Sequence, residues 1–182
     1  MEILDENGKV EFEQEGHSWT LQFLQYLCQQ FNNSVVLTSQ VKTIDGVARG
    51  VSGGFTATIN AAAGDLTKGI VLGTGNAVNS PTDYALQAIC THGSGSNQLS
   101  YGSMSFIEAL VISSSTAIVL TRQVTNSGVA SVTVAEIGLY FSYIYVNPNS
   151  YSYCVIRDKL DSPVVITAGS TKTVQYTITE AN

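Results

Sequence analysis

Residues 116–146 read TAIVLTRQVTNSGVASVTVAEIGLYFSYIYV, and this stretch decides the fold class. Successive side chains of an extended chain point to opposite faces. In 116–125 that places Ile118, Leu120 and Val124 on one face and Val119, Thr121 and Gln123 on the other. Arg122 falls on the apolar side. Asn126-Ser127-Gly128 predicts a tight hairpin turn, because Asn and Gly tolerate positive φ, with Val129 to Val134 returning as the partner strand. From Glu136 to Val146 one face carries Ile137, Leu139, Phe141, Tyr143 and Tyr145, and the other carries Tyr140, Ile144 and Val146. Two apolar faces predict a central, doubly covered strand.

Outward from this segment the same pattern continues in short β-rich runs separated by Gly, Ser, Asn and Pro clusters. Upstream these are Ser34 to Gln40, Phe55 to Asn60, Gly69 to Leu72, Gln87 to His92 and Leu99 to Ser105. Downstream, Asn147-Pro148-Asn149-Ser150 precedes Tyr151 to Arg157 and Val164 to Thr167. A turn at Ala168-Gly169-Ser170 then leads to a last strand in which Val174, Tyr176 and Ile178 alternate with Thr and Gln. One helix is predicted before Asn32 and Asn33, capped by Ser18, with Leu21, Leu24, Leu27, Cys28 and Phe31 at three- and four-residue spacing. Trp19, Phe23 and Tyr26 widen its apolar stripe, so it packs on the sheets, on another subunit, or on both. The expectation is an all-β antiparallel sandwich, jelly-roll-like, over 34–182. It is preceded over 1–33 by a solvated acidic arm (Glu2, Asp5, Glu6, Glu11, Glu13, Glu15) and the helix.

Apolar residues make up 44% of the 182-residue chain and charged residues only 12%. That charged share is about half the usual one, and interface cores are depleted of charge, so a surface covered by neighbours fits the composition. A polar, uncharged outer sheet face fits it too. The net charge of −6, with eight scattered basic residues, argues against direct nucleic-acid binding. Cys28, Cys90 and Cys154 are odd in number and far apart, and no signal peptide opens the sequence. These features predict free thiols in a protein made in a reducing cytoplasm. No apolar stretch is long enough to span a bilayer as a helix, so no membrane contact is expected.

Catalytic signatures break at named residues. His17 and His92 are the available histidine bases, and no G-x-S-x-G elbow accompanies them. Ser94 beside His92 sits in a Gly-Ser-Gly loop and would point away from it. Gly73-Thr74-Gly75 resembles a dinucleotide loop but lacks its third glycine, with Val78 in that place, and no helix follows Asn79-Ser80-Pro81. Two distant histidines without clustered thiols make no zinc site, and no D-x-D-x-D loop supports calcium. No catalytic residue, cofactor or metal is therefore assigned. Glu136 and Glu108 interrupt apolar strands, and a buried carboxylate there demands an Arg partner, Arg122 or Arg157, read as a structural ion pair. Tyr140, Tyr143, Tyr145, Tyr151 and Tyr153 gather around the 147–150 turn. They form either a contact surface or a ladder of cross-strand aromatic pairs.

Between Gly73 and Ile178 the sequence resembles virion structural proteins of tailed bacteriophages. The likeness rests on Thr82-Asp83-Tyr84-Ala85-Leu86, Gln98-Leu99-Ser100-Tyr101-Gly102, Thr121-Arg122 and Thr125-Asn126-Ser127-Gly128. It continues through Val134-Ala135-Glu136-Ile137-Gly138-Leu139-Tyr140, Arg157-Asp158, Ser162-Pro163-Val164 and Val174-Gln175-Tyr176-Thr177-Ile178. It implies a non-enzymatic subunit of the virion, commonly a homo-oligomer (a trimer or a larger ring), serving as capsid decoration or cement, as a neck or tail attachment, or as a fibre-like module. Of these, a decoration or cement role bound to major capsid or neck and tail proteins is the leading expectation. A fibre-like, receptor-binding module reading host glycan or protein through the tyrosine-rich hairpin is the alternative. Interface candidates are Trp19, Phe23, Tyr26, Tyr140, Tyr151 and Tyr153.

Overall fold

The computed structural model describes residues 1–16, 19–32, 41–49, 57–112, 115–144 and 150–179. Its elements are β1 (Glu2–Leu4), β2 (Val10–Glu13), α1 (Leu21–Asn32), β3 (Val41–Lys42), β4 (Ala48–Arg49), β5 (Ala57–Thr58), β6 (Gly69–Gly73), β7 (Thr91–His92), β8 (Gln98–Ile112), β9 (Ser115–Thr125), β10 (Val132–Ile144), β11 (Ser150–Ile166) and β12 (Thr171–Thr179). Among the described residues every element apart from α1 is a β-strand. One sheet runs β2-β1-β12-β9-β8-β7; the second runs β11-β10, with β5 and β6 sharing the far side of β10. Pairing is antiparallel except for the short parallel contact of β7 with β8. The predicted run over 34–40 lies outside the described residues.

Both sheets feed one apolar cluster. Leu99, Tyr101, Leu120, Val124, Val174 and Tyr176 come from the first sheet, and Ile70, Ile137, Leu139, Phe141, Tyr153 and Val155 from the second. The central-strand expectation for β10 holds, since Phe141 and Leu139 enter this cluster while Tyr140 joins Val71, Leu86 and Cys154 on the other face. Val134 and Ile137 both reach the shared core although an odd number of residues apart. The register shift between Val134 and Glu136 permits it, because a bulge resets the two-residue alternation.

Two expectations are corrected. Asn126-Ser127-Gly128 does not close a hairpin: β9 pairs with β8 and β12, and β10 pairs with β11, β5 and β6. The segment instead crosses between sheets beside the return crossing at 167–170. Asn126, fully buried, donates from Nδ2 to the carbonyls of Ala130 and Ile166 at 2.8 Å each, accepts the Gly128 N–H at Oδ1 at 3.0 Å, and accepts the Gly169 N–H at its backbone carbonyl. A buried side-chain amide bonded on all sides is a crossing anchor, and Val129, expected in a strand, is wholly exposed.

The acidic start is likewise no solvated arm. β1 pairs with β12 through Glu2↔Gln175, Ile3↔Val174 and Leu4↔Thr173, and β2 pairs with β1. Ile3 is buried and Phe12 packs on the core, while Glu11 faces out to Lys172 at 2.7 Å. Residues 1–13 therefore extend the first sheet, and the boundary expected at 33/34 does not separate them from it. Charge density hid a two-residue alternation only a few residues long.

Candidate interaction surface

The strongest polar constellation joins β10, β11 and the loop that follows β6. Arg157 donates from Nε to Glu136 Oε2 at 2.9 Å, from one terminal nitrogen to Asp83 Oδ2 at 2.6 Å and from the other to the Ala77 carbonyl at 3.1 Å. Glu136, without solvent exposure, also accepts the backbone N–H groups of Gly75 (3.2 Å), Gln87 (3.1 Å) and Ala88 (2.8 Å). Burial alone would lower the Arg157 pKa; the bonds to Asp83 and Glu136 outweigh it and raise it. This is the expected pair of Glu136 with Arg157, enlarged by Asp83. It also explains Gly73-Thr74-Gly75, whose backbone cradles an anion belonging to the protein itself. A Cβ at Gly73 would stand 2.6 Å from the Glu136 carboxylate and 2.7 Å from the Ala88 carbonyl. Gly138 makes room for the side chain of Leu86, which a Cβ there would meet at 3.0 Å.

Arg122 is no partner of Glu136. It is buried between the sheets and donates to four carbonyls: Gly102 at 2.9 Å, Ile70 at 2.9 Å, Ala62 at 3.2 Å and Asp65 at 2.7 Å. Its guanidinium also lies 4.9 Å from the Tyr101 ring centroid. Burial lowers its pKa. Five fixed donors suit a cluster of carbonyls from a loop and two strands, so no carboxylate is needed. Glu108's side chain lies outside the described residues.

His92 Nδ1 accepts the Tyr101 N–H at 3.1 Å and so serves the backbone. Among the described residues no group of His, Cys, Asp and Glu is gathered as metal ligands.

The tyrosine surface is also corrected. Tyr140 and Tyr153 are fully buried; Tyr140 Oη accepts the Leu86 N–H at 2.7 Å, and Tyr153 stacks on Phe141 at 5.3 Å between centroids. Strands covered on both faces leave these rings no access to solvent. Tyr151 is half-buried beneath the Arg49 guanidinium at 4.3 Å. The hairpin itself is present, with Tyr143↔Tyr151 and Ile144↔Ser150 in register. The side chains of Tyr143 and Tyr145 lie outside the described residues.

Three of the exposed large apolar side chains, Trp19, Leu21 and Leu24, gather at the start of α1. Trp19 forms a bridge with Ile156, and Thr20 donates its N–H to the Val155 carbonyl at 3.0 Å and its hydroxyl to the Cys154 carbonyl at 2.6 Å. Leu21 N–H donates to the Pro81 carbonyl at 2.8 Å, satisfying a helix-start donor, and Gln22 Nε2 donates to the Asp83 carbonyl at 3.1 Å. These bonds cover the outer edge of β11 and fix the helix upon it. Trp19 and Phe23 stack at 4.0 Å with their planes 20° apart. Of the predicted apolar stripe, Leu21 and Leu24 are 44% and 54% exposed and Cys28 is exposed, whereas Phe23 packs against the core and polar Gln22 is buried at 3% exposure. Polar Gln22 faces inward because Asp83's carbonyl awaits it, a partner invisible to apolar spacing. Ser18 and the side chain of Tyr26 lie outside the described residues.

Beside Trp19 runs a groove of about 390 Å³, walled by Glu13–Gly16, Ile156 and Tyr176–Thr179. Under it Asp158, fully buried, accepts the Tyr176 hydroxyl at 3.1 Å. Comparison with known proteins returns no matching family model, no matching curated protein and no matching solved structure. Of the interface candidates on the helix, Trp19 is 44% exposed and Phe23 is half-buried against the core; Thr20, Gln22 and Asp83 were not singled out as positioning groups by the sequence.

Proposed function

We propose that this chain is a non-enzymatic structural subunit of a tailed-bacteriophage virion. On this reading it is a jelly-roll-like sandwich that associates with its own kind and attaches to capsid or neck and tail proteins. The observation that carries the assembly role is the exposed apolar surface of Trp19, Leu21 and Leu24, backed by half-buried Phe23 and held against β11 by the Thr20 bonds. Rigid aromatic and aliphatic residues presented on a fixed element are what interface cores are made of.

The non-catalytic part is supported by occupancy. Glu136 and Arg157 bond one another and the backbone, and Arg122 bonds backbone carbonyls, so each is engaged by the fold itself. The sandwich is supported by the core cluster shared between both sheets and by the paired crossings at Asn126. The virion assignment is supported by the resemblance over 73–178. Recognition of a host receptor through the tyrosine hairpin loses its surface with Tyr140 and Tyr153 buried.

Cosedimentation of the purified chain with phage capsids and with isolated neck and tail fractions tests the reading. Saturable binding to one fraction is the expected result. A chain that stays in the supernatant with every fraction overturns it.

A further inference from the structure

The outward stripe of α1 has a spacing the rest of the fold does not use. Leu21, Leu24 and Cys28, all exposed, stand at i, i+3 and i+7. Phe31 continues the series in the sequence, although its side chain lies outside the described residues. Alternating steps of three and four are the seam of a helix that packs knobs into the holes of another helix. A helix lying alone on a sheet turns such residues inward; here Gln22 takes the inward place.

Charge selects the occupant. From Gly16 to Val41 the chain contains no Asp, Glu, Lys or Arg, in a protein of net charge −6. α1 has no acidic residue in its first turn and no basic residue in its last. A helix that docks a charged partner gains from complementary charge on its flanks. In a symmetric contact each residue faces its own kind near the axis, so any charge there would repel its copy. A neutral seam on an acidic chain meets that requirement.

We infer that α1 is the self-association element, packing its Leu21, Leu24 and Cys28 seam against the same seam of a second copy of this chain. This deepens the assembly reading above and rests on it. For helices meeting at Leu24, the two Cys28 thiols come within about 10 Å if the helices run parallel and within about 15 Å if they run antiparallel, at 1.5 Å of rise per residue and 8–10 Å between axes. Cys90 and Cys154 are buried, so Cys28 reports the contact without interference.

The test uses the full chain in three forms: wild type, Leu24→Glu, and Val129→Glu as a control at a fully exposed position far along the sequence. Sedimentation velocity is expected to show a self-associated wild type and control. Leu24→Glu is expected to associate more weakly by about tenfold or more, from a charge placed in a buried seam, with an unchanged circular dichroism spectrum. A bismaleimide with a spacer long enough for either arrangement, about 15 Å, is expected to couple wild-type chains through Cys28 and to leave Leu24→Glu uncoupled. A wild type that is monomeric at all concentrations overturns the inference, as does a Leu24→Glu variant that keeps the wild-type mass, or an oligomer that Cys28 never crosslinks. Capsid cosedimentation of the same samples judges the virion reading separately. Capsid binding by an oligomer insensitive to Leu24→Glu rejects the seam alone.

Discussion

Arg157 Nε lies 2.9 Å from Glu136 Oε2, on neighbouring strands whose register pairs Gly138 with Arg157 and Glu136 with Lys159. The pair is diagonal, and its remaining bonds reach the 74–88 loop. Breaking a buried ion pair from one side leaves the other charge stranded, at a cost of roughly 3–5 kcal/mol. Arg157→Ala is therefore expected to lower unfolding free energy by that amount in urea titration. Protease sensitivity should rise first within residues 74–88, because Asp83 and Ala77 lose their tether.

Gly73→Ala should destabilise through the same centre. Its Cβ would meet both the Glu136 carboxylate and the Ala88 carbonyl, and the second is backbone that cannot swing aside. A fall in melting temperature comparable with other overpacked sites, from about 1–3 kcal/mol, is the expected calorimetric outcome.

For Arg122, four carbonyls depend on one side chain. Arg122→Met should cost at least about 3 kcal/mol, since bonds to a charged group contribute about 1.5–3 kcal/mol each. Arg122→Lys should recover only part in chemical denaturation, lacking the planar fork.

Thiol reactivity should separate the three cysteines. Burial pushes the Cys90 thiol up to about 11 and raises Cys154 further, while Cys28 is exposed. Ellman's reagent at pH 8 should titrate one thiol in the native protein and three after denaturation.

Two pH limits follow from opposite signs. Bonds from Thr43, from the Val47 N–H and from Arg49 lower Asp45 to about 2, so their contribution to the β3–β4 hairpin is complete above the ordinary carboxylate range and lost as pH falls through 2. Carbon-detected NMR titration should place the Asp45 midpoint there. Burial raises Tyr101, Tyr140 and Tyr176. Stability from these rings is complete below pH 10 and declines as pH climbs towards their folded values. Absorbance at 295 nm should show them ionising only together with alkaline unfolding.

The all-β class, the single helix, the β10–β11 hairpin and the pair of Glu136 with Arg157 were legible in the sequence. Each depends on periodicity, or on the rule that a buried carboxylate needs a cation. The edge strands β1 and β2 were obscured because Glu-rich runs of three or four residues look solvated until β12 supplies a partner. Asn126-Ser127-Gly128 has hairpin chemistry, and only the burial of Asn126 between two crossings shows its other use. The rotation of α1 was likewise beyond spacing alone. A stripe of Leu21, Leu24 and Cys28 specifies an apolar face but not what it meets, and the bonds from Thr20 to β11 and from Gln22 to Asp83 turned that face outward. Local patterning sets what a segment can form; long-range hydrogen bonds between residues distant in sequence decide which way it points.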